Sequence, residues 1–177
     1  YYIQTAIDDA DEGDTIRVWS GTYYENIEVT EEVTIIGNGT STIITVDISG
    51  SSFGSPPIAN SSREGINITA DGVKVSNLTV SNFSKGIGVY WSDVVLLENI
   101  IITNSPTNGI VIVESDSLTI RGLYVSGNSI NIATDSNSNF LTIEDTISTD
   151  SDNTGLAIAS SNAYLINITV FENNGHG

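Results

Sequence analysis

"VKVSNLTVSN", residues 73–82, reads as two short alternating strands, Val73–Ser76 and Leu78–Ser81, on either side of a single Asn77. Alternation puts Val73, Val75, Leu78 and Val80 on one side of an extended chain. The residue between the two strands is of a type that tolerates left-handed backbone at a sharp corner. The same stretch holds "NLT", the acceptor pattern for an N-linked sugar, so Asn77 is either a glycan site on a loop or part of the fold.

The stretch recurs. "GINITADGVKVSNLTVSN" (65–82), "GIGVYWSDVVLLENIIITN" (86–104), "GIVIVESDSLTIRGLYVSGN" (109–128), "SINIATDSNSNFLTIEDTISTD" (129–150) and "GLAIASSNAYLINITVFENN" (155–174) each hold a short alternating strand, a polar turn, a second strand, a one-residue break and a third strand. The break falls at Asn77, Asn99, Gly122, Asp145 and Asn167, at steps of 22, 23, 23 and 22 residues, and Gly37 in "VTIIGNG" is an earlier copy. All six are Gly, Asn or Asp, which assigns them to a structural corner ladder and makes Asn77 part of the fold, with its amide buried against neighbouring coils. Val95, Leu97, Ile100 and Ile102 then match the inward set of residues 73–80, followed by Leu118, Ile120, Leu123 and Val125, and later by Leu165, Ile168 and Val170.

One such unit cannot bury its own apolar face, whereas stacked units share one core. Three short strands per repeat of about 22 residues predict an all-β, single-stranded parallel β-helix of about seven coils, roughly 33 Å long at the inter-strand spacing. The whole chain, 1–177, reads as one domain. Residues 1–13 place Ile3, Ala6, Ile7 and Ala10 at helical spacing, which predicts a short helix capping one end of the stack. "SGSSFGSPPIANSSREG" (49–65), with two of the three prolines and no alternation, reads as an inserted loop. At the other end "FENNGHG" stops where a further coil would start, so the terminal coil reads as unclosed, pointing to a longer parent, a partner or end-to-end stacking.

Composition narrows the function. Five Lys plus Arg against 22 Asp plus Glu give a net charge of −17, which argues against nucleic acid as a partner. No apolar run of about 20 residues is present for membrane insertion. The absence of Cys removes disulfides, thiolate metal sites and a Cys nucleophile. A hydroxyl-rich, acidic, Cys-free chain leans toward an extracellular or cell-surface location.

"AIDDADEGDTIRVWSGTYYENIEV" (6–29), followed by "VTIIGNGTSTIITV" (33–46), resembles the start of a pectate-lyase-like right-handed β-helix. The later copies resemble the short parallel β-helix repeats of carbohydrate-binding and sugar-hydrolase proteins, and the likeness runs from Ile3 to Asn174. The resemblance implies right-handed coiling, in line with the usual hand of parallel crossovers. It also implies that any enzyme chemistry lies on the outer face of the first strand of each coil.

With Ile66, Ile68, Ile87, Val89, Ile110, Ile112, Ile130, Ile132, Leu156 and Ile158 facing inward, alternation sets two outward rows on that face. These are Asn67, Gly88, Val111, Asn131, Ala157 and Thr69, Tyr90, Val113, Ala133, Ala159, which carry no charged residue. Neither a base for a lyase nor a carboxylate pair for a hydrolase stands there, so no catalytic residue is assigned. Tyr90 and Trp91 are the candidate carbohydrate-binding residues, an aromatic platform beside small neighbours. The turn carboxylates Asp93, Asp116 and Asp135 stack into an acidic edge, which is simply solvated, holds calcium between coils or does general acid/base work; no other cofactor is implied. Among six sequons, Asn60 in the inserted loop is the expected glycosylation site.

Two readings result. One is a non-catalytic structural or binding segment of an exported surface, adhesin-like or filament-forming protein, with a polysaccharide, a cell-surface glycan or further copies packed end to end or laterally as partners. The other is a fragment of a polysaccharide lyase or glycoside hydrolase whose catalytic coils lie elsewhere. The bare first-strand face favours the first.

Overall fold

The computed structural model describes residues 2–46 and 63–175. Among the described residues, eighteen short strands, one α-helix and one short 3-10 helix (Gly39–Ser41) wind into a parallel β-helix of about six turns. A first face stacks six strands, Ile27–Val29, Glu64–Ile68, Lys85–Tyr90, Asn108–Val113, Ile130–Thr134 and Thr154–Ala157. The second and third faces carry seven rungs each and belong to one sheet, because Lys74–Ser81 and Leu96–Thr103 each run through both. Every strand pair is parallel.

The bend inside those long strands is the corner ladder. Asn77, Asn99, Gly122, Asp145 and Asn167 all adopt left-handed backbone, with φ of 57°, 52°, 63°, 49° and 52°. Gly37 occupies the same row, its N–H donating to the carbonyl of Ser76, but lies outside the left-handed set; glycine is needed there because a Cβ would collide with the carbonyl oxygen of Asn77. The amides are less enclosed than expected: Asn77 is half-buried and bonds its neighbour Ser76 Oγ, while Asn99 and Asn167 are exposed. The corner is therefore selected by backbone conformation, with little help from buried amide bonds. A second left-handed ladder, unforeseen from sequence, closes the third face at Asn82, Asn104, Gly127, Asp150 and Glu172.

The inward rows built on "VKVSNLTV" stand as expected: Val73, Val75, Leu78, Val80, Val95, Leu97, Ile100, Ile102, Leu118, Ile120, Leu123 and Val125 are all at most 2% exposed. Each fully buried aliphatic side chain stabilises by about 2 kcal/mol. Leu165 follows the same row beside Ile143 but is half-exposed in the last described turn.

One register differs. Ile132 pairs with Ile110, Thr134 with Ile112, and Ile130 with Asn108, so the strand after Ser129 is shifted by two residues from the expected alignment. Asn131 thereby leaves the outer row and stands inside, fully buried, in the column of Gly65, Gly86, Gly109 and Gly155. Its Nδ2 donates to Ser148 Oγ and the Thr149 carbonyl, and its Oδ1 accepts from Asn128 Nδ2. Asn128 in turn accepts from the Ser105 amide, so this polar patch within the core is bonded through.

The cap is a single helix, Ile3–Asp8, with Ile3 and Ile7 buried and Ala10 packed against the core, whereas Ala6 is exposed. Buried Glu25 accepts the first two helical N–H groups, from Ile3 and Gln4, at 3.0 Å each. Gln4 also bridges to both backbone groups of Glu28, covering the edge of the first face. Only residues 63–65 of the expected 49–65 insertion are among those described, and Glu64 and Gly65 already belong to a strand. Asn60 lies outside the described residues. Among the described residues no helix is long and apolar enough to cross a membrane.

Candidate functional site

The strand "KGIGVY" (85–90) positions the site. Ile87 and Val89 point into the core, so Gly88 and Tyr90 face outward; Lys85 also faces outward because the alternation breaks at the buried Gly86. Gly88 leaves the Tyr90 ring room to lie along the sheet, since a Cβ there would strike both Tyr90 and Glu64. One rung below, Glu64 pairs with Lys85 in register. Lys85 Nζ donates to Glu64 Oε1 at 2.8 Å and to Tyr90 Oη at 3.0 Å, and Tyr90 Oη donates to Glu64 Oε1 at 2.9 Å. The closed triangle fixes the phenol at the centre of the first face.

This corrects the expectation of an uncharged face. Glu64 and Lys85 stand immediately before the Gly that opens each repeat, three positions upstream of the nearer row derived from alternation, and Glu28 sits beside Asn67 in that row. Arg63 reaches Glu28 at 3.3 Å. The register shift adds Asp135 beside Val113, where Ala133 was expected, and moves Ala133 beside Val111. The signal was present: residues of opposite charge 21 positions apart precede successive repeat-opening glycines.

The three groups of the triangle are locked in single charge states. Burial pushes the Glu64 carboxyl upward, but hydrogen bonds from Lys85, from backbone and from Tyr90 outweigh it and hold the group below its ordinary value. Hydrogen bonds to Glu64 and Tyr90 hold Lys85 above its ordinary value against burial. Burial, helped by Glu64 and opposed by Lys85, raises the Tyr90 phenol. At neutral pH the set is carboxylate, ammonium and neutral phenol.

Trp91 follows at the rim with φ of 51°, a conformation costly for an aromatic residue. Its ring is 67% exposed and tilted 39° from that of Tyr90 at a centroid distance of 6.0 Å. Its indole N–H donates to Glu114 Oε2 at 3.1 Å, which orients the ring and leaves its faces open. The structure thus brings the two sequence-predicted binding residues together.

The turn carboxylates are arranged differently from a cage. Asp71 accepts the Asp93 amide at 2.7 Å, Asp93 the Asp116 amide at 2.8 Å, and Asp116 the Asn139 amide at 2.6 Å, a ladder in which each carboxylate ties down the next turn. Asp135 stands in another column, bonded to Ser138 and to the Glu114 amide. Beneath them a buried column of Ser92, Ser115 and Ser138 repeats the device with hydroxyls. Among the described residues no three acidic or imidazole groups are gathered as a metal site. An open acidic hollow of about 480 Å³ lies near the cap between Glu12, Glu31, Glu32 and Asp71, with no aromatic lining.

Comparison with known proteins agrees with this architecture. Residues 64–177 match the model of the right-handed beta helix region. No curated protein matches the sequence. Among solved structures, a protein from Parabacteroides merdae ATCC 43184 provisionally assigned as a glycosyl hydrolase aligns at TM-score 0.73 and 14% identity, over 95% of this chain and 88% of its own. ORF18 of Geobacillus virus E2 aligns at 0.71 and 15%, over 99% of this chain and 38% of its own. The tailspike gp49 of the Acinetobacter baumannii bacteriophage Fri1, a capsular polysaccharide depolymerase, aligns at 0.66 and 14%, over 93% of this chain and 36% of its own. The chain spans less than half the length of the two viral proteins, and likeness at these identities is likeness of fold.

Proposed function

We propose, from the premise that the chain belongs to the right-handed β-helix family, that its rod is a non-catalytic glycan-binding segment of an exported protein, with Tyr90 and Trp91 as the sugar platform. The observation that carries this reading is the Lys85–Glu64–Tyr90 triangle, which pins an aromatic ring along the sheet beside an exposed indole. A pre-oriented ring loses little conformational freedom on binding, and sugar rings present C–H faces to such surfaces. The polysaccharide depolymerase and glycosyl hydrolase among its structural neighbours are consistent with a glycan partner and with a location outside the cell.

A hydrolase reading rests on the carboxylates of the same face, Glu64 at the Tyr90 phenol, Glu114 at the Trp91 indole, and Glu28 and Asp135 on more distant rungs. We favour binding because Glu64, the carboxylate touching Tyr90, is engaged by Lys85 and by the phenol itself, contacts that hold the ring in place. The test is the Tyr90→Ala, Trp91→Ala double variant on a glycan array, together with a reducing-end assay of the parent protein. Loss of all array signals in a variant that unfolds like the parent supports the platform. Unchanged signals sink it, and release of reducing ends from a polysaccharide sinks the non-catalytic role.

A further inference from the structure

The charge around the platform decides what kind of glycan fits it. On the first face the cations Arg63 and Lys85 are each spent on a carboxylate, Glu28 and Glu64. Glu114 Oε2 touches the Trp91 indole, and Asp135 stands opposite Val113, two rungs above Tyr90; neither has an ion-pair partner among the described residues. Along the adjoining turn edge Asp71, Asp93 and Asp116 form a continuous acidic ladder. The whole chain carries −17. An anionic polysaccharide laid across this face would meet like charge along its length and find no unpaired guanidinium or ammonium to receive a carboxylate or sulfate.

Hydroxyl groups face the opposite situation. Carboxylates accept hydrogen bonds from neutral donors strongly, and this face offers acceptors in excess of donors. Resting on the glycan-binding reading, we infer that the ligand is a neutral polysaccharide, free of carboxylate and sulfate, stacked on Tyr90 and Trp91 with its hydroxyls donating to Glu114 and the neighbouring acceptors. Selectivity against uronates follows from the lack of an unpaired cation among the described residues of this face as much as from the excess of acid.

Affinity electrophoresis in gels containing a neutral β-glucan, a neutral mannan, polygalacturonate or alginate tests this, each run in chelator and in calcium at low and high salt. The expected result is retardation by a neutral polysaccharide that persists at high salt, is weakened about tenfold in Trp91→Ala and is unchanged in Trp19→Ala, the exposed tryptophan between the strands Thr15–Arg17 and Gly21–Tyr23, away from the first face, with no retardation by either polyuronate. Retention by polygalacturonate or alginate equal to or tighter than by the neutral gels, with or without calcium, overturns the inference and leaves glycan binding standing. Retention by none of the four defeats the glycan-binding reading itself and this inference with it.

Discussion

Lys85 Nζ and Glu64 Oε1, 21 residues apart in the chain, meet at 2.8 Å on adjacent rungs of the first face, and Tyr90 Oη closes the triangle. A sheet whose partners are always one coil away turns a charge pattern in sequence into a contact in space. The pair is part-exposed, so its effect on stability is modest, while its effect on the Tyr90 ring is direct.

Replacing Glu64→Gln lowers stability by roughly 1 kcal/mol near neutral pH, after allowance for solvent screening. Because the folded carboxyl lies below its ordinary 4.5, its contribution is present above that value and is lost as pH falls through the folded value. Lys85, held above its ordinary 10.5, contributes below that value and loses the contribution as pH rises through its folded value. Urea midpoints of parent and variant across pH check both limbs: the gap should be flat between 4.5 and 10.5 and close on the acid side. A gap that widens on acidification contradicts the assigned direction.

At the corner ladder, Asn99→Gly should be close to neutral and Asn99→Ala should cost about 1 kcal/mol, because only the second forces a Cβ-bearing residue without a polar side chain to hold φ of 52°. Equal losses in the two variants, measured by chemical denaturation, would mean that the side-chain amide outweighs the backbone.

Asn131→Ala should be among the most damaging single changes, at about 2–3 kcal/mol. It removes the acceptor of the buried Asn128 Nδ2 and the donor to Ser148 Oγ. Thermal unfolding compared with Asn153→Ala, an exposed control, measures it.

For the acidic edge, Asp93→Asn keeps an oxygen for the Asp116 amide and should stay within about 0.5 kcal/mol of the parent, while Asp93→Ala should lose about 1 kcal/mol. Melting the parent and Asp93→Asn with and without calcium separates a hydrogen-bonding role from a metal site. A calcium-dependent rise confined to the parent assigns the ladder to the metal.

The corner at Asn77 was legible because a left-handed position restricts residue type regardless of surroundings, and the restriction recurs with the repeat. The inward rows of residues 73–80 and their copies were legible because two alternating strands of fixed length flank that corner. The strand around Asn131 was not, since alternation looks the same after a shift of two residues, and Ile130 and Ile132 fit either alignment. What settles it is a buried amide replacing the glycine of its column, which no periodicity marks. Glu64 and Lys85 escaped notice because both lie at the bend before Gly65 and Gly86, where the two-residue period breaks and outward direction cannot be counted from the strand.

Backbone hydrogen bonds in this molecule run along the rod, from each turn to the next, and the corner, serine and aspartate ladders run the same way. Tension applied between the two ends therefore loads the turn-to-turn interfaces in series, while within any one interface all three faces share the force. Tensile strength is then set by the weakest interface, irrespective of how many turns are stacked. A sideways pull across the rod is borne instead by the covalent chain of each turn, and sideways compression by the close-packed side chains within it.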